Sequence, residues 1–185
     1  MADFRLKLVV AVCQNGGIGK DGHLPWRLKK DMAFFKSITS SSTYSNKHNV
    51  VIMGRKTWDS IPAKFRPLKD RINIVLSRTM EQAPESVVLS RSLEEALEYT
   101  EKEVKDKIDS VFVIGGSSVY KEAIEGPWST RVYLTRVLAE FECDTFMPSL
   151  EELNFKKTEG VENIPEGVHT DNGTDFVFEV YDKIV

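Results

Sequence analysis

One acidic side chain, Asp31, lies on the apolar side of a predicted helix. The segment 28–37 has helical periodicity, and its apolar stripe of Leu28, Met32 and Phe35 also contains Asp31. A buried carboxylate is costly unless it is paired, and burial raises its pKa, so such a group can hold or supply a proton near neutral pH. The pattern leaves two interpretations open: an active-site carboxylate, or an Asp that is satisfied by a buried hydroxyl or backbone N–H.

Cations and glycines follow four predicted strands, and in open α/β sheets ligands bind beyond the carboxyl ends of strands. The segments are Gly54-Arg55-Lys56-Thr57 after 50–53, Ser77-Arg78 after 72–76, Arg91 after 87–90, and Gly115-Gly116-Ser117-Ser118 after 110–114. Two glycine-containing helix starts suit a pyrophosphate, and arginines suit a further phosphate, which favours NADPH over NADH. Each element alone is often a packing feature or a solvated side chain, so the prediction depends on their coincidence.

A glycine-rich segment precedes the helix, with four glycines among residues 16–22 and an ordered Pro25-Trp26 at its end. Beside a buried carboxylate, a flexible segment is typical of a lid that excludes water. The alternative is a long connection that merely tolerates glycine.

Other chemistries have little support. The three histidines are scattered, the cysteines Cys13 and Cys143 lie 130 positions apart, and we expect no metal site. Nothing in the spacing supports a Ser-His-Asp arrangement. A net charge of −3 argues against a nucleic-acid binder with a broad basic face. Isolated cysteines and the lack of a visible targeting or membrane segment predict a cytoplasmic protein.

The elements that must position these residues alternate between strands and helices. Strands are predicted at 6–12, 50–53, 72–76, 87–90, 110–114, 132–138, 155–161 and 174–183, and helices at 28–37, 56–61, 92–105 and 117–125, with a polar loop at 39–49. This order predicts an α/β fold with a single twisted, mostly parallel β-sheet of about eight strands, flanked by about four helices. The strands at 155–161 and 174–183 are expected to form a C-terminal antiparallel hairpin, and residues 1–185 a single domain.

Six segments together resemble the dihydrofolate reductase family over essentially the whole chain. They are VVAVCQNGGIGKDGHLPW, VVIMGRKTWDSIP, RPLKDRINIVLSR, VFVIGGSSVYKEAI, DTFMP and FEVYDK, in the order of the family. The length and the polar 39–49 loop resemble the eukaryotic form without a fused thymidylate synthase. The resemblance implies NADPH-dependent reduction of 7,8-dihydrofolate to tetrahydrofolate for one-carbon metabolism and thymidylate synthesis, by a monomer that antifolates inhibit.

The resemblance also assigns roles by position. Asp31 matches the group that hydrogen-bonds the pterin and promotes protonation at N5, before hydride transfer to C6. The other residues matched to catalysis are Trp26, Leu24, Tyr120 and Thr135. Those matched to the substrate are Val9, Val10, Met32, Phe35, Lys36, Ser60, Ile61, Phe65, Leu68, Ile114 and Thr135, with Arg71 as the clamp for the glutamate α-carboxylate.

The positions matched to NADPH fall into three groups. They are Ala11 with Ile18, Gly19, Lys20, Asp21, Gly22, His23 and Leu24; then Gly54, Arg55, Lys56, Thr57, Leu76, Ser77, Arg78, Thr79 and Arg91; and then Gly115, Gly116, Ser117, Ser118, Val119 and Tyr120. In the family the Gly-Gly peptide bond is cis.

Three positions depart from the commonest family pattern. Four residues separate Trp26 from Asp31, as in bacterial members, whereas vertebrate members have five. Asp70 stands before Arg71 where glycine is common, which places an acid beside the clamp. Phe65 stands in the outer pocket where a polar residue is frequent. These departures leave the reaction intact and bear on inhibitor selectivity.

Two other functions compete with this one. The reductase of riboflavin synthesis shares the fold, but its ribosylated pyrimidine substrate has less use for Arg71 and for Leu-Pro-Trp followed by Asp. A non-catalytic folate or nucleotide binder is the alternative from another class, and an altered carboxylate position would favour it. Asp31 is present. The acidic balance does not support a nucleic-acid-binding role.

Overall fold

The computed structural model describes residues 4–184. Its strands are β1 Leu6–Cys13, β2 Gly17–Gly19, β3 His48–Gly54, β4 Arg71–Leu76, β5 Val88–Ser90, β6 Ile108–Val113, β7 Thr130–Val137, β8 Thr145–Phe146, β9 Phe155–Lys157, β10 His169–Asp171 and β11 Thr174–Lys183. Its α-helices are α1 Lys29–Ser40, α2 Arg55–Ser60, α3 Leu93–Glu103 and α4 Ser117–Glu125, and short 3₁₀ turns lie at Ala63–Phe65 and Lys105–Lys107.

Nine strands form one mixed sheet in the order β10-β11-β7-β1-β6-β3-β4-β5, with β9 also paired to β11. The pairs from β7 across to β5 are parallel. By contrast, β11 is antiparallel to β7, β9 and β10. The predicted fold class is confirmed, with one more strand than expected.

The two faces of the sheet have separate cores because successive side chains of a strand point to opposite sides. Helices α3 and α4 cover one face, where Leu93 and Ile124 pack with Leu8 and Val10 of β1. On the other face, Val9 packs with Val51, Phe112 and Tyr133, and α1 contributes Phe35 and Ile38. Helix α1 therefore presents Asp31 to the face on which Val9 lies.

The C-terminal hairpin differs from its prediction. Strand β9 does pair with β11, but only at the far end, from Tyr181 to Lys183. The hairpin itself joins β10 to β11 through Asn172-Gly173, whose φ angles are +52° and +74°. Positive φ at both central residues is the geometry that Asn-Gly turns favour, so this signal was available in the sequence.

The glycine-rich segment is more regular than predicted. Gly17 and Gly19 lie in β2, which pairs with β8. The turn after it closes with two backbone hydrogen bonds between Lys20 and His23, of 2.8 and 2.9 Å. Asp21 and Gly22 at its centre have positive φ, as a two-residue hairpin turn requires. The polar loop is also shorter than the predicted 39–49, since α1 continues to Ser40 and β3 begins at His48.

Candidate active site

Asp31 is positioned by the first turn of α1, and the hairpin at the far end of the chain supports that turn. The N-cap residue is Leu28, which offers no side-chain acceptor to the free N–H groups. Asp171 of β10 supplies one instead, because its Oδ2 accepts from the backbone N–H of Lys30 at 3.2 Å. A carboxylate at this position also suits the positive end of the helix dipole. Asp171 lies 141 residues from its partner, so no local sequence pattern predicts this contact.

The carboxylate of Asp31 is mostly buried and has a neighbouring hydroxyl. Thr135 in β7 donates from Oγ1 to Asp31 Oδ1 at 2.6 Å. Burial raises the pKa of Asp31, and the hydrogen bond from Thr135 acts in the opposite direction because it stabilises the ionised form. The predicted rise in pKa is confirmed in direction. Asp31 can therefore exchange a proton closer to neutral pH than an exposed Asp.

Tyr120 lies beside this carboxylate, in the interior. Its hydroxyl donates to the backbone carbonyl of Val9 at 2.7 Å. Burial raises the pKa of Tyr120, and the charge of Asp31 raises it further. Tyr120 therefore stays a neutral hydroxyl. Because it bonds to Val9 and interacts with Asp31, it links α4 to β1 and to α1.

The apolar residues predicted to line the substrate site divide into three groups. Five of them share the core on the Asp31 side of the sheet: Val9, Phe35, Ile61, Leu68 and Ile114. Met32 and Phe65 are instead 56% and 57% exposed. Val10 packs into the opposite core, so its backbone can face this site but its side chain cannot.

The apolar stripe assigned to α1 is also partly wrong. Met32 is exposed, whereas Phe34, which was not on the predicted stripe, packs on Phe178 of β11 with ring centroids 4.4 Å apart. The helix thus contacts both the central sheet and the antiparallel edge. A helical periodicity cannot distinguish these two contact directions, because both place apolar side chains on neighbouring arcs.

Arg71 at the start of β4 is held in place by two acceptors. Its Nε donates to the carbonyl of Lys69 at 2.8 Å, and one terminal nitrogen donates to Thr39 Oγ1 at 2.9 Å. Burial lowers the pKa of Arg71, while the charge of Asp70 raises it. Asp70 also has a φ of +60°, a conformation in which a residue with a Cβ is strained and glycine is not.

The starts of α2 and α4 meet through their glycines. The N–H of Gly54 donates to the carbonyl of Gly115 at 2.9 Å. Gly115 has a φ of +133°, and a Cβ there would lie 3.1 Å from Thr57 Oγ1. Helix α4 has no side-chain cap on its first N–H groups. Free N–H groups beside backbone without side chains fit a pyrophosphate. The Gly115-Gly116 bond is cis, as the resemblance implied.

The cationic residues after β3, β4 and β5 lie together, as predicted. Arg55 donates to Thr79 Oγ1 at 3.3 Å. Arg91 donates to the carbonyl of Ser77 at 2.9 Å and to that of Met80 at 2.6 Å. Arg78 lies between these partners in sequence and is exposed. The cluster fits an additional phosphate, but Arg91 also holds the 77–80 turn through these two hydrogen bonds.

The remaining residues predicted to act in catalysis or to bind substrate or cofactor differ in burial and in partners. Trp26 is buried against Phe141, and its Nε1 has no hydrogen-bond partner within residues 4–184. Ser60 donates to the carbonyl of Thr57 at 2.6 Å, and Lys20 forms an ion pair with Glu142. Leu76, Val119 and Ile18 belong to the α3–α4 side. Those on the surface are Asp21, Gly22, His23, Leu24, Lys36, Lys56 and Ser118, and those partly or fully buried are Ala11, Gly19, Gly116 and Ser117.

Within the described part of the chain, no group of three or more His, Cys, Asp or Glu side chains has an arrangement that could hold a metal ion. In residues 4–184 no helix has both the length and the apolar character needed to cross a bilayer.

The fold and the site together define an α/β enzyme. It has a mostly buried carboxylate, Asp31, and glycine-containing helix starts that suit the pyrophosphate of a dinucleotide. A family model described as dihydrofolate reductase matches residues 5–183. The dihydrofolate reductase of Sus scrofa is 49% identical over 181 residues, covering 96% of this chain and 97% of the relative. That of Gallus gallus is 49% identical over 183 residues, covering 97% of each.

A solved structure agrees with these relatives. Dihydrofolate reductase from Schistosoma mansoni superposes with a TM-score of 0.86 at 46% identity, covering 97% of this chain and 98% of the other. The chain belongs to the dihydrofolate reductase family. It is an oxidoreductase that reduces dihydrofolate to tetrahydrofolate with NADPH.

Proposed function

We propose that Asp31 is the ionisable group that orients the pterin ring of dihydrofolate and promotes its protonation at N5. The observation that carries this role is the hydrogen bond of 2.6 Å from Thr135 to a carboxylate whose pKa burial raises. NADPH, when bound, supplies the hydride that passes to C6. The residues of the chain then hold the pterin ring, exclude bulk water and promote the transfer of one proton to N5.

The proton path in this proposal uses Asp31 and Trp26. A carboxylate can accept hydrogen bonds from the N–H groups of a pterin and polarise the ring toward protonation. The indole N–H of Trp26 is buried and lacks a protein partner in residues 4–184, which makes it suitable to orient a water molecule that delivers the proton. Thr135 fixes the orientation of the carboxylate, and Tyr120 ties β1 to α4 beside it. Leu24 would border the water.

The rest of dihydrofolate would extend from Asp31 toward Arg71. Val9, Phe35, Ile61, Leu68 and Ile114 provide apolar surface on that side of the sheet. We propose that Val10 contributes backbone only and that Met32, Phe65, Ser60 and Lys36 border the outer part. Arg71, which Thr39 and the Lys69 carbonyl orient, would pair with the glutamate α-carboxylate.

NADPH would lie across the carboxyl ends of the parallel strands. The cradle of Gly54, Gly115 and Gly116 and the uncapped start of α4 support pyrophosphate binding there. Arg55, Ser77, Arg78, Thr79 and Arg91 would surround the 2′-phosphate, and β2 with the turn to Leu24 would cover the nicotinamide side. The other residues proposed to line this path are Ala11, Lys56, Thr57, Leu76, Ser117, Ser118, Val119 and Tyr120.

The proposal also covers the oligomeric state, the inhibitors and the cellular compartment. We expect one domain acting as a monomer that antifolates inhibit. The free thiols of Cys13 and Cys143 suit the reducing environment of the cytoplasm.

The test is an absorbance assay of NADPH oxidation with dihydrofolate, repeated with a methotrexate-type inhibitor. We expect turnover that depends on both substrates and that the inhibitor abolishes at stoichiometric concentration. Asp31→Asn should lose most turnover, whereas Glu94→Gln, an exposed acid in α3, should keep it. Absence of turnover in a folded preparation that binds NADPH would refute the proposal. Equal activity of the two variants would refute the role of Asp31.

A further inference from the structure

The two cysteines of the chain, far apart in sequence, are neighbours in the structure. Cys13 ends β1 and Cys143 precedes β8, and their Sγ atoms lie 3.9 Å apart. Both are free thiols; Cys13 is buried and Cys143 is partly exposed. A disulfide requires sulfur atoms about 2 Å apart, so the two must approach by roughly another 2 Å. Because Cys143 lies in a connecting segment, a rotation of its side chain and a small backbone shift can close this gap.

The pair lies directly beneath the glycine-rich segment. A Cβ on Gly17 would stand 2.2 Å from Cys143 Sγ, so β2 passes over the thiol with only backbone between. Asn15 completes the arrangement, since its Oδ1 accepts from Cys13 Sγ at 2.8 Å and from the N–H of Gly17 at 3.0 Å. Movement of either sulfur is therefore transmitted to β2.

Residues 142–147 form the support on which the segment rests. Asp144 N–H donates to the carbonyl of Gly19 at 3.0 Å, and Met147 N–H donates to that of Gly16 at 2.9 Å. Asp144 Oδ2 accepts from the N–H of Asp21 at 2.8 Å. A covalent bond between Cys143 and β1 would fix this support, and with it the segment, relative to the central sheet.

We propose that Cys13 and Cys143 form a reversible intramolecular disulfide that restrains the 16–24 segment and lowers turnover under oxidising conditions. This rests on the proposed placement of that segment against the nicotinamide. The chemical class of oxidant is a hydroperoxide, and the accessible thiol, Cys143, reacts first.

The reaction balances in two steps with hydrogen peroxide. The Cys143 sulfur attacks one peroxide oxygen; the O–O bond breaks, an S–O bond forms, and water leaves with the thiol proton. The Cys13 sulfur then attacks Cys143; the S–S bond forms, the S–O bond breaks, and hydroxide leaves with the Cys13 proton as a second water. The two thiols lose two electrons in total, and the peroxide takes them up.

The experiment treats the full chain with hydrogen peroxide at mildly alkaline pH, because burial and the neighbouring Cys13 raise the pKa of Cys143 and leave little thiolate at neutral pH. We expect both thiols to disappear together in a monomer, a proteolytic fragment that joins residues 13 and 143, and recovery of both thiols with dithiothreitol. Independent oxidation of each sulfur to the sulfinic acid, or a crosslink between two chains, would overturn the disulfide.

The functional effect is measured on the same samples. Turnover should fall severalfold on oxidation and return on reduction, while Cys143→Ser should be active and insensitive to peroxide. A crosslinked wild type with unchanged turnover would overturn the proposed restraint while leaving the proposed function standing. A reduced wild type without turnover would instead refute the proposed function. The thiol count and the fragment need no variant, so they test the proposal even if a substituted protein does not fold.

Discussion

Replacing Asp31 with Asn removes the charge and the titratable proton while keeping the shape of the side chain. Thr135 can still donate to the amide oxygen of the substituted side chain, so the local contact of 2.6 Å has a neutral counterpart. The expected effect is therefore on chemistry rather than on packing. General acid–base assistance contributes roughly 10²- to 10⁴-fold to a rate, which corresponds to about 3–5 kcal/mol of barrier.

The loss of turnover in Asp31→Asn should depend on pH. Burial raises the pKa of Asp31 in the folded protein, so the variant's deficit should be largest near neutral pH. In acid, solvent can protonate the substrate without the carboxylate, and the deficit should shrink. The assay is kcat and kcat/KM of both proteins from acid to alkaline pH, with NADPH affinity measured in parallel as the control. An equal deficit at every pH would refute the role given to Asp31, and lost NADPH affinity would show that the variant is damaged elsewhere.

The same substitution has a predicted effect on stability. Because the pKa of Asp31 is raised on folding, the folded state holds the proton over a pH range in which the unfolded chain has lost it. The free energy of unfolding of the wild type therefore falls as pH rises from the unfolded pKa through the folded pKa. Asp31→Asn lacks this fall, so at neutral pH it should be more stable, by about 1 kcal/mol. Urea unfolding at acid and neutral pH measures the difference, and a less stable variant at neutral pH would contradict it.

Three further predictions follow from the site. The double variant Arg55→Gln with Arg78→Gln should weaken NADPH by about a hundred-fold and NADH little, since each of the two lost charged hydrogen bonds costs roughly 1.5 kcal/mol. Equal weakening of both cofactors would mean that these charges are misassigned. Asp70→Gly should raise the free energy of unfolding by about 0.5–1 kcal/mol, because glycine relieves the strain of a φ of +60°. It should also increase the affinity for dihydrofolate, but not the affinity for a pterin without a glutamate. Unchanged affinity for both would contradict the effect on Arg71. Asp171→Ala should lower the free energy of unfolding in urea by about 1 kcal/mol and should lower kcat/KM. Asp171→Asn should lie between this variant and the wild type. A stable, fully active Ala variant would show that Asp171 does not support α1.

Local pattern was sufficient for most of the fold. The helical stripe placed Asp31 against the sheet, and the order of elements predicted parallel pairing because strands alternated with helices. The short β2 and β8 were not predicted, since two or three residues carry no periodicity. Asn172-Gly173 is a sequence signal for a hairpin turn, although no turn was predicted there.

Contacts across the sheet account for what could not be predicted. Asp171 lies beside Lys30, and Cys13 beside Cys143, only because distant strands become neighbours in the folded chain. Val10 was assigned to the substrate by resemblance alone, although strand alternation places its side chain opposite to that of Val9. Arg91 was matched to the phosphate end of the cofactor, and its two hydrogen bonds to backbone carbonyls were not predicted.

The most direct test of hydride transfer at this site uses NADPH carrying deuterium at the transferred position. Single turnover with dihydrofolate should place one deuterium at C6 of tetrahydrofolate, with solvent hydrogen at N5. Asp31→Asn should give the same labelling at a much lower rate near neutral pH. Oxidation of the cofactor without deuterium at C6 would contradict the account.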